Sequence, residues 1–387
     1  MQEEKASAAN RPLDRAGEEL LGRPFAVVGA GICGLSLAHF LLLRGADVLV
    51  VEMALAGAGA TGAAAGVLNA SRGGASRLGL LAQSALLGYE RFVRSIEARS
   101  GLAVEHRRIG KAQVVEDGNE AQRLREKGLD PPNITWLDSF ALDRLVPSLA
   151  LKAQGALFSP QTSWVRPSQL VMALKRSVEA LGGRVVEGSR SGLGRTADCR
   201  GWRLAADELA VGPSGALREV LVAAGAWTSP LLDEAGGSAP ARIVPVRGQM
   251  IEVDLSEPLH TIVEFDGRYV IPCAGNRAWV GATTEEVGYD PRVTDEGVAS
   301  LLAGARRILR GVGAVRRSWA GLRPKLLRRG GPLEGEGEPP VLAGHYKSGI
   351  LLGPVTAQRM AERLAGLCEG EGGPFPALAA RLDHRSL

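Results

Sequence analysis

The chain has 387 residues, 45% of them apolar, so a sizeable core can be buried; global disorder is excluded and two domains, or one with a large insertion, are expected. Net charge is +4 and the arginines are scattered, with pairs at Arg306-Arg307, Arg316-Arg317 and Arg328-Arg329; without a concentrated stripe they read as solvated surface, no nucleic-acid partner is expected, and the mild basicity can steer acidic substrates. Four cysteines with no CxxC pair and five widely separated histidines argue against a disulfide framework and against a metal site.

The first 22 residues are polar, with no apolar signal-peptide region; they are expected to be a disordered leader, and a cytoplasmic protein is expected. No apolar run approaches the ~20 residues of a membrane helix. Phe25-Ala26-Val27-Val28 suits a buried parallel strand. The turn Gly29-Ala30-Gly31-Ile32-Cys33-Gly34 follows, then Leu35 to Arg44 is apolar at helical spacing and stops at Gly45. Val48 to Val51 is a second buried strand, ending in Glu52 and Met53.

That strand-turn-helix-strand carries chemistry. Gly29 permits the tight turn, Gly31 lets the backbone approach a diphosphate, and Gly34 allows the helix to pack closely on the strand. The helix N-terminus offers free N–H groups and a positive dipole end to that diphosphate. Glu52 stands where a carboxylate accepts from ribose hydroxyls, and it would repel the 2′-phosphate of NADP. The motif predicts a dinucleotide; FAD and NAD both satisfy it.

Residues 54 to 77, rich in Ala and Gly, read as a long loop or helix start close to a ligand, and Leu78 to Ser100 as a helix. Residues 103 to 160 mix short strands with a polar helix near Glu120–Lys127, and Pro131-Pro132 marks a loop. A helix over Ser168–Leu181, closed by Gly182-Gly183, leads to a strand at Arg184–Glu187. Val220 to Gly225 is another buried strand entering a turn. From 242 to 290 apolar and polar residues alternate, the pattern of an antiparallel sheet. A helix over 294–310, a flexible Gly- and Glu-rich loop over 330–340 and a final helix over Gly349–Leu364 complete the chain.

This order predicts an α/β protein: a Rossmann-like nucleotide-binding domain built from discontinuous segments (23–80, 163–240 and 319–370) and an antiparallel-sheet substrate domain (81–162 and 241–318), with a tail over 371–387.

Downstream stretches resolve the cofactor. Gly62-Ala63-Ala64-Ala65-Gly66-Val67-Leu68, Ala224-Gly225-Ala226-Trp227, Val246-Arg247-Gly248-Gln249-Met250, the run Gly281–Gly288, Gly321-Leu322-Arg323-Pro324 and Gly344–Leu352 occur in order, and from about residue 24 to residue 365 the chain resembles the glycine oxidase and D-amino acid oxidase family of FAD enzymes. The resemblance implies FAD as cofactor, oxidative deamination of glycine, sarcosine or a D-amino acid, O2 as acceptor, and a place in thiamine biosynthesis. It implies that Ala60, Thr61, Ala65, Gly66 and Val67 lie along the flavin, that the Val186 backbone holds the adenine, and that His345, Tyr346, Lys347, Ser348, Gly349, Ile350 and Leu351 border the ring. It implies a substrate carboxylate on Arg323 and Tyr269, with Lys347 where the family often has Arg. Departures follow Arg323, where Lys325-Leu326-Leu327-Arg328-Arg329 replaces the family's Asp-x-x-Pro-x-Ile-Gly, and Asn69–Arg77 matches no family pattern. A dehydrogenase with another acceptor, an enzyme acting on a carboxymethylamine in modified tRNA, and a flavoprotein without turnover stay open, and an oligomer is possible.

Overall fold

A computed structural model describes residues 24–70, 76–126, 134–196, 201–206, 217, 219–328, 331–367 and 373–376. The expected leader, nearly all of the tail, Pro131-Pro132, Arg329, Cys199 and Cys368 lie outside the described residues.

In chain order, β1 (Phe25–Val28), α1 (Ile32–Leu42), β2 (Val48–Val51) and β3 (Val67–Leu68) precede the long α2 (Arg77–Ser100). Then come β4 (His106–Arg108), β5 (Lys111–Val115), α3 (Gly118–Glu126), β6 (Thr135–Asp138), α4 (Ser139–Leu145), β7 (Gly155–Ser159), β8 (Ser163–Val165), α5 (Pro167–Ala180) and β9 (Arg184–Val186). Next are β10 (Ser191–Arg195), β11 (Trp202–Ala206), β12 (Glu219–Val222) and α6 (Thr228–Ala235). Last are β13 (Ile243–Leu255), β14 (Ile262–Phe265), β15 (Arg268–Cys273), β16 (Arg277–Gly281), α7 (Asp295–Ile308), β17 (Val312–Leu326), β18 (Leu333–Glu334), β19 (Leu342–Ala343) and α8 (Gly349–Leu364).

The architecture is α/β. A parallel sheet in the order β12-β1-β2-β9 is Rossmann-like; its central strands β1 and β2 read as unbroken apolar runs because both faces are covered, while the outer β9 and β12 each begin on a charged residue. On one face α1, α2, α5 and α8 share a core that includes Phe25, Leu37, Phe40, Phe92, Leu174 and Met360. The helix ends follow local chemistry. Ser76 caps α2 by accepting from Gly79 N–H at 3.1 Å, Pro167 opens α5 at a position with no N–H to lose, and Gly101 ends α2 in the left-handed conformation. Phe375 closes this core, its N–H donating to Gln358 Oε1 at 3.2 Å.

The second unit is an eight-stranded sheet in the order β17-β13-β16-β15-β14-β5-β7-β6, antiparallel except where β14 meets β5. Its inner face packs on α4 and α7 through Val114, Leu142, Ile251, Val270 and Leu301.

Two expected boundaries fall inside single elements. Residues 81–100 belong to α2, whose buried face packs with the nucleotide-side helices, and 319–326 complete β17 of the large sheet. The segment expected to be a flexible loop is also ordered over its described part: Leu333 is fully buried and pairs with Ala343, Gly335 N–H donates to Val341 O, and Glu338 bridges Ser238. Glycines let this turn pack tightly, and composition alone does not distinguish that use from flexibility.

Candidate active site

One continuous cavity of about 740 Å³ runs between the two sheets, from β1, β2 and the start of β10 to the start of β15 and the C-terminal end of β17. At the first end, Gly29 has φ +106°, and a Cβ there would lie 2.5 Å from Ala223 O, so the turn after β1 excludes any side chain. A Cβ at Gly34 would sit 1.9 Å from Gly29 O, which is how α1 approaches the strand. Ala30 N–H and Ala54 N–H donate to the Glu52 carboxylate at 2.8 and 3.0 Å. Part of the acceptor capacity of Glu52 therefore holds the turn; a carboxylate has further lone-pair sites, and Glu52 lines the cavity.

The Ala-rich loop forms the middle wall and is clasped from behind. Trp164 Nε1–H donates to Ala65 O at 2.8 Å and Trp319 Nε1–H to Ala63 O at 3.1 Å, while Thr61 Oγ1 accepts from Ile32 N–H at 3.1 Å. The loop front that faces the cavity carries Ala60, Ala63, Ala64, Ala65, Gly66 and Val67. Small side chains over a fixed backbone make a flat wall.

The far wall is the segment 345–351. His345 is buried, and burial lowers its pKa to about 4, so the ring is neutral. Its Nε2 lies 2.8 Å from Thr356 Oγ1, and that hydroxyl donates to Leu352 O and Gly353 O. Nε2 therefore carries the proton and Nδ1 accepts from the Cys33 thiol at 3.5 Å, whose pKa burial pushes up to about 12. Tyr346 has φ +51°, and the exposed Lys347 ammonium lies 5.4 Å from its ring centre. α8 begins at Gly349 with no side-chain cap and no acid in its first turn, so its N–H groups and dipole face the cavity uncompensated.

Opposite stand Arg323 and Tyr269. The β13–β17 register pairs Val246 with Arg323 and Gly248 with Gly321. The Arg323 guanidinium lies flat across Gly248, where a Cβ would fall 2.0 Å from Nη2. Nη1–H donates to Thr283 O at 2.9 Å. Burial raises the Tyr269 pKa and the charge of Arg323 pulls it partly back, leaving a protonated hydroxyl at neutral pH. Gly281, across from Tyr269 in the register, leaves room for the ring.

Gly29, Gly31, Ile32, Glu52, Met53, Ala60, Thr61, Ala65, Gly66, Val67, Tyr269, Arg323 and 345–351 all border this cavity. Ala30, Gly34 and Val186 do not. The Ala30 N–H is turned onto Glu52, Gly34 is packed on Gly29, and the Val186 carbonyl accepts from Glu52 N–H at 2.8 Å. The wall beyond β9 is instead lined by Arg190 and Ser191. Sequence reasoning passed over Lys111, Glu264 and the two indole clasps, and took Gly248 only as part of a matching stretch, without its spacing role; a lysine at the head of one strand and a glutamate in another carry no signal until the sheet is assembled. The donor set suits FAD: backbone N–H groups at a helix start for the diphosphate, a flat small-residue wall for the ring and a second helix N-terminus beyond it. Among the described residues, no helix is long and apolar enough to cross a membrane.

The profile of the family described as DAO: FAD dependent oxidoreductase matches residues 25–363. The chain is 30% identical to a glycine oxidase of Pseudomonas aeruginosa, over 88% of the chain and 94% of that protein. It is 29% identical to a glycine oxidase of Geobacillus kaustophilus, over 87% and 91%. A solved structure of glycine oxidase from Geobacillus kaustophilus superposes with a TM-score of 0.79 at 28% identity, covering 90% of this chain and 96% of that one. The chain is also 28% identical to the bifunctional protein ThiO/ThiG of a Nostoc species, over 88% of the chain, and spans about half of that protein's length, 52%.

Proposed function

The chain belongs to the DAO family of FAD dependent oxidoreductases, and from that premise we propose that it oxidises the C–N bond of a small amino acid (glycine, sarcosine or a D-amino acid) held by its carboxylate on Arg323 and Tyr269. The observation that carries this reading is the Arg323 guanidinium, laid across Gly248 at the cavity wall, its neighbours there backbone carbonyls and a protonated phenol. An arginine fork with no carboxylate partner among the described residues suits a carboxylate ligand, through two charge-assisted bonds of roughly 1.5–3 kcal/mol each. The Tyr269 hydroxyl supplies a further donor; with its pKa raised it is no general base. The amine enters in its neutral form, and docking alone aligns the α-carbon. Bound FAD would supply the hydride acceptor.

The remaining residues prepare the cavity. Gly29, Gly31, Ile32 and Glu52 would hold the ADP part, with Met53 beside it and Ala30, Gly34 and Val186 shaping the turn and strand behind. Ala60, Thr61, Ala65, Gly66 and Val67 would face the ring, and the neutral His345 adds no charge next to it. Tyr346, Ser348, Gly349, Ile350 and Leu351 would bring the α8 N-terminus to the opposite edge, where negative charge is stabilised. Lys347 would add a single ammonium near the mouth, a point charge without the planar fork of arginine. We further propose O2 as acceptor, a place in thiamine biosynthesis and a cytoplasmic location.

The test is a visible spectrum of the purified protein followed by anaerobic addition of glycine, sarcosine and D-alanine. Bleaching of the flavin bands by one of them, lost in Arg323→Met, is expected. A yellow protein that none of the three reduces overturns the reading. Peroxide formed in a one-to-one ratio with substrate consumed in air supports O2; its absence turns the acceptor to a quinone or a protein.

A further inference from the structure

At the substrate end of the cavity a second charged pair stands beside the carboxylate site. β14 and β15 are antiparallel and Glu264 is directly opposite Tyr269, so both side chains share one face, and both line the cavity. Lys111 enters from β5, where it pairs with Ile262, and its Nζ lies 2.6 Å from Glu264 Oε2. The two side chains are 6% and 14% exposed. The charge of Glu264 is felt at Tyr269, opposite in sign to that of Arg323, which makes Arg323, Tyr269, Glu264 and Lys111 one continuous row.

The row holds two cations and one carboxylate. Arg323 is met by carbonyls, whereas Lys111 is met by Glu264. One substrate carboxylate therefore balances the row, and a second one placed along it meets no cation among the described residues besides the Lys111 that Glu264 already neutralises; Lys347 stands apart from the row, in the far wall. That second carboxylate would approach Lys111 and Glu264 together, so attraction and repulsion offset each other while its desolvation is unreturned.

We propose that Glu264, by neutralising Lys111 at the substrate end of the cavity, restricts the enzyme to amines carrying one carboxylate and rejects dicarboxylic amines. The proposal rests on the reading of Arg323 and Tyr269 as the carboxylate site. Selectivity here comes from a group placed against the wrong substrate, not from one added for the right one. A pair that merely ties β5 to β14 at the parallel junction would leave selectivity unchanged when its charge is altered.

The test uses unreactive carboxylates, butyrate and glutarate (butyrate with a second carboxylate on its terminal carbon), titrated calorimetrically into the FAD-loaded protein, alongside turnover of glycine and of iminodiacetate. Wild type is expected to bind butyrate at least about tenfold more tightly than glutarate. Glu264→Gln, which keeps the shape of the side chain and removes its charge, is expected to shift the glutarate-to-butyrate affinity ratio about tenfold toward glutarate. It is expected to raise the kcat/KM ratio of iminodiacetate over glycine in step. Lys111→Gln combined with Glu264→Gln is expected to return both ratios toward wild type. A wild type that binds glutarate as tightly as butyrate overturns the proposal whether or not the variants fold. So do unchanged ratios in a Glu264→Gln protein that glycine still reduces. If butyrate binds neither wild type nor Arg323→Met, the carboxylate site itself is wrong and the proposal falls with it. Butyrate bound in wild type and lost in Arg323→Met, with unchanged ratios in Glu264→Gln, removes this proposal alone.

Discussion

Gly248 shows how a residue without a side chain sets the position of one with chemistry. It lies in the middle of β13, where most residues would do for the backbone, but the Arg323 guanidinium occupies the space its Cβ would fill. The atoms a methyl group would meet are the far end of a flexible side chain, so the arginine swings away and the sheet is undisturbed. Gly248→Ala is therefore expected to fold and to retain FAD, and to lose part of the carboxylate interaction. Displacing one charge-assisted pair, about 1.5–3 kcal/mol, corresponds to a roughly 10- to 100-fold rise in the dissociation constant for butyrate. Calorimetry against wild type checks it, with the flavin absorbance as control. Unchanged butyrate affinity would mean that the guanidinium position seen here is not the one that binds. Nothing near position 248 in the sequence announces this role. Arg323 is 75 residues further along, and the contact exists only once the β13–β17 register is set.

At the scale of elements, what could be read from the sequence depended on how many faces each element buries. β1 and β2 are apolar runs buried on both faces, β9 and β12 at the sheet's edges each begin on a charged residue, and α8 has bounds that match the 349–364 expectation because its apolar stripe is unbroken. β17 is different. Its first half carries Arg316 and Arg317 on an exposed edge, so no alternating pattern marks it, and its fifteen residues are defined by pairing with β13. The sequence marks the Ala-rich loop as a segment close to a ligand, and the loop does border the cavity, but what fixes it was not legible. Trp164 and Trp319 stand far away in sequence and reach it by one indole N–H each. Trp319→Phe keeps most of the packing and leaves Ala63 O without that donor. A loss of about 1 kcal/mol, or roughly fivefold weaker FAD binding, is expected. Quenching of flavin fluorescence on titration into apoprotein measures it. An unchanged affinity would reassign the indole to packing alone.

The molecule as a whole is assembled from interleaved segments, and composition marks where a segment changes character but not which sheet it joins. We propose, on the packing of α2 and the continuity of β17, that the nucleotide-side unit runs on to Ser100 and that the substrate-side unit includes residues through Leu326. The core of the first unit contains an acid-sensitive element. His39 is fully buried on α1, its Nδ1 3.1 Å from Ser177 Oγ, and burial with the nearby Arg99 and Arg44 charges lowers its pKa to about 3. His345, in the far wall of the cavity, is lowered to about 4 by burial. Burial lowers His106 in the same direction. Below the ordinary histidine pKa of about 6.5 the unfolded chain takes up protons that these folded rings refuse. Stability is therefore fully present above that value and is lost as pH falls from about 6.5 towards the folded values. The cost is about 1.4 kcal/mol per pH unit for each of His39 and His345. Between pH 6.5 and 5 few carboxylates have titrated, so this window isolates the histidines. The urea midpoint of the FAD-loaded protein is expected to drop steeply across it. His39→Asn, whose amide oxygen can still accept from Ser177, is expected to be less stable than wild type at pH 7.5 through lost packing yet to show a shallower slope. A slope equal to that of wild type would mean that His39 is not the group refusing the proton.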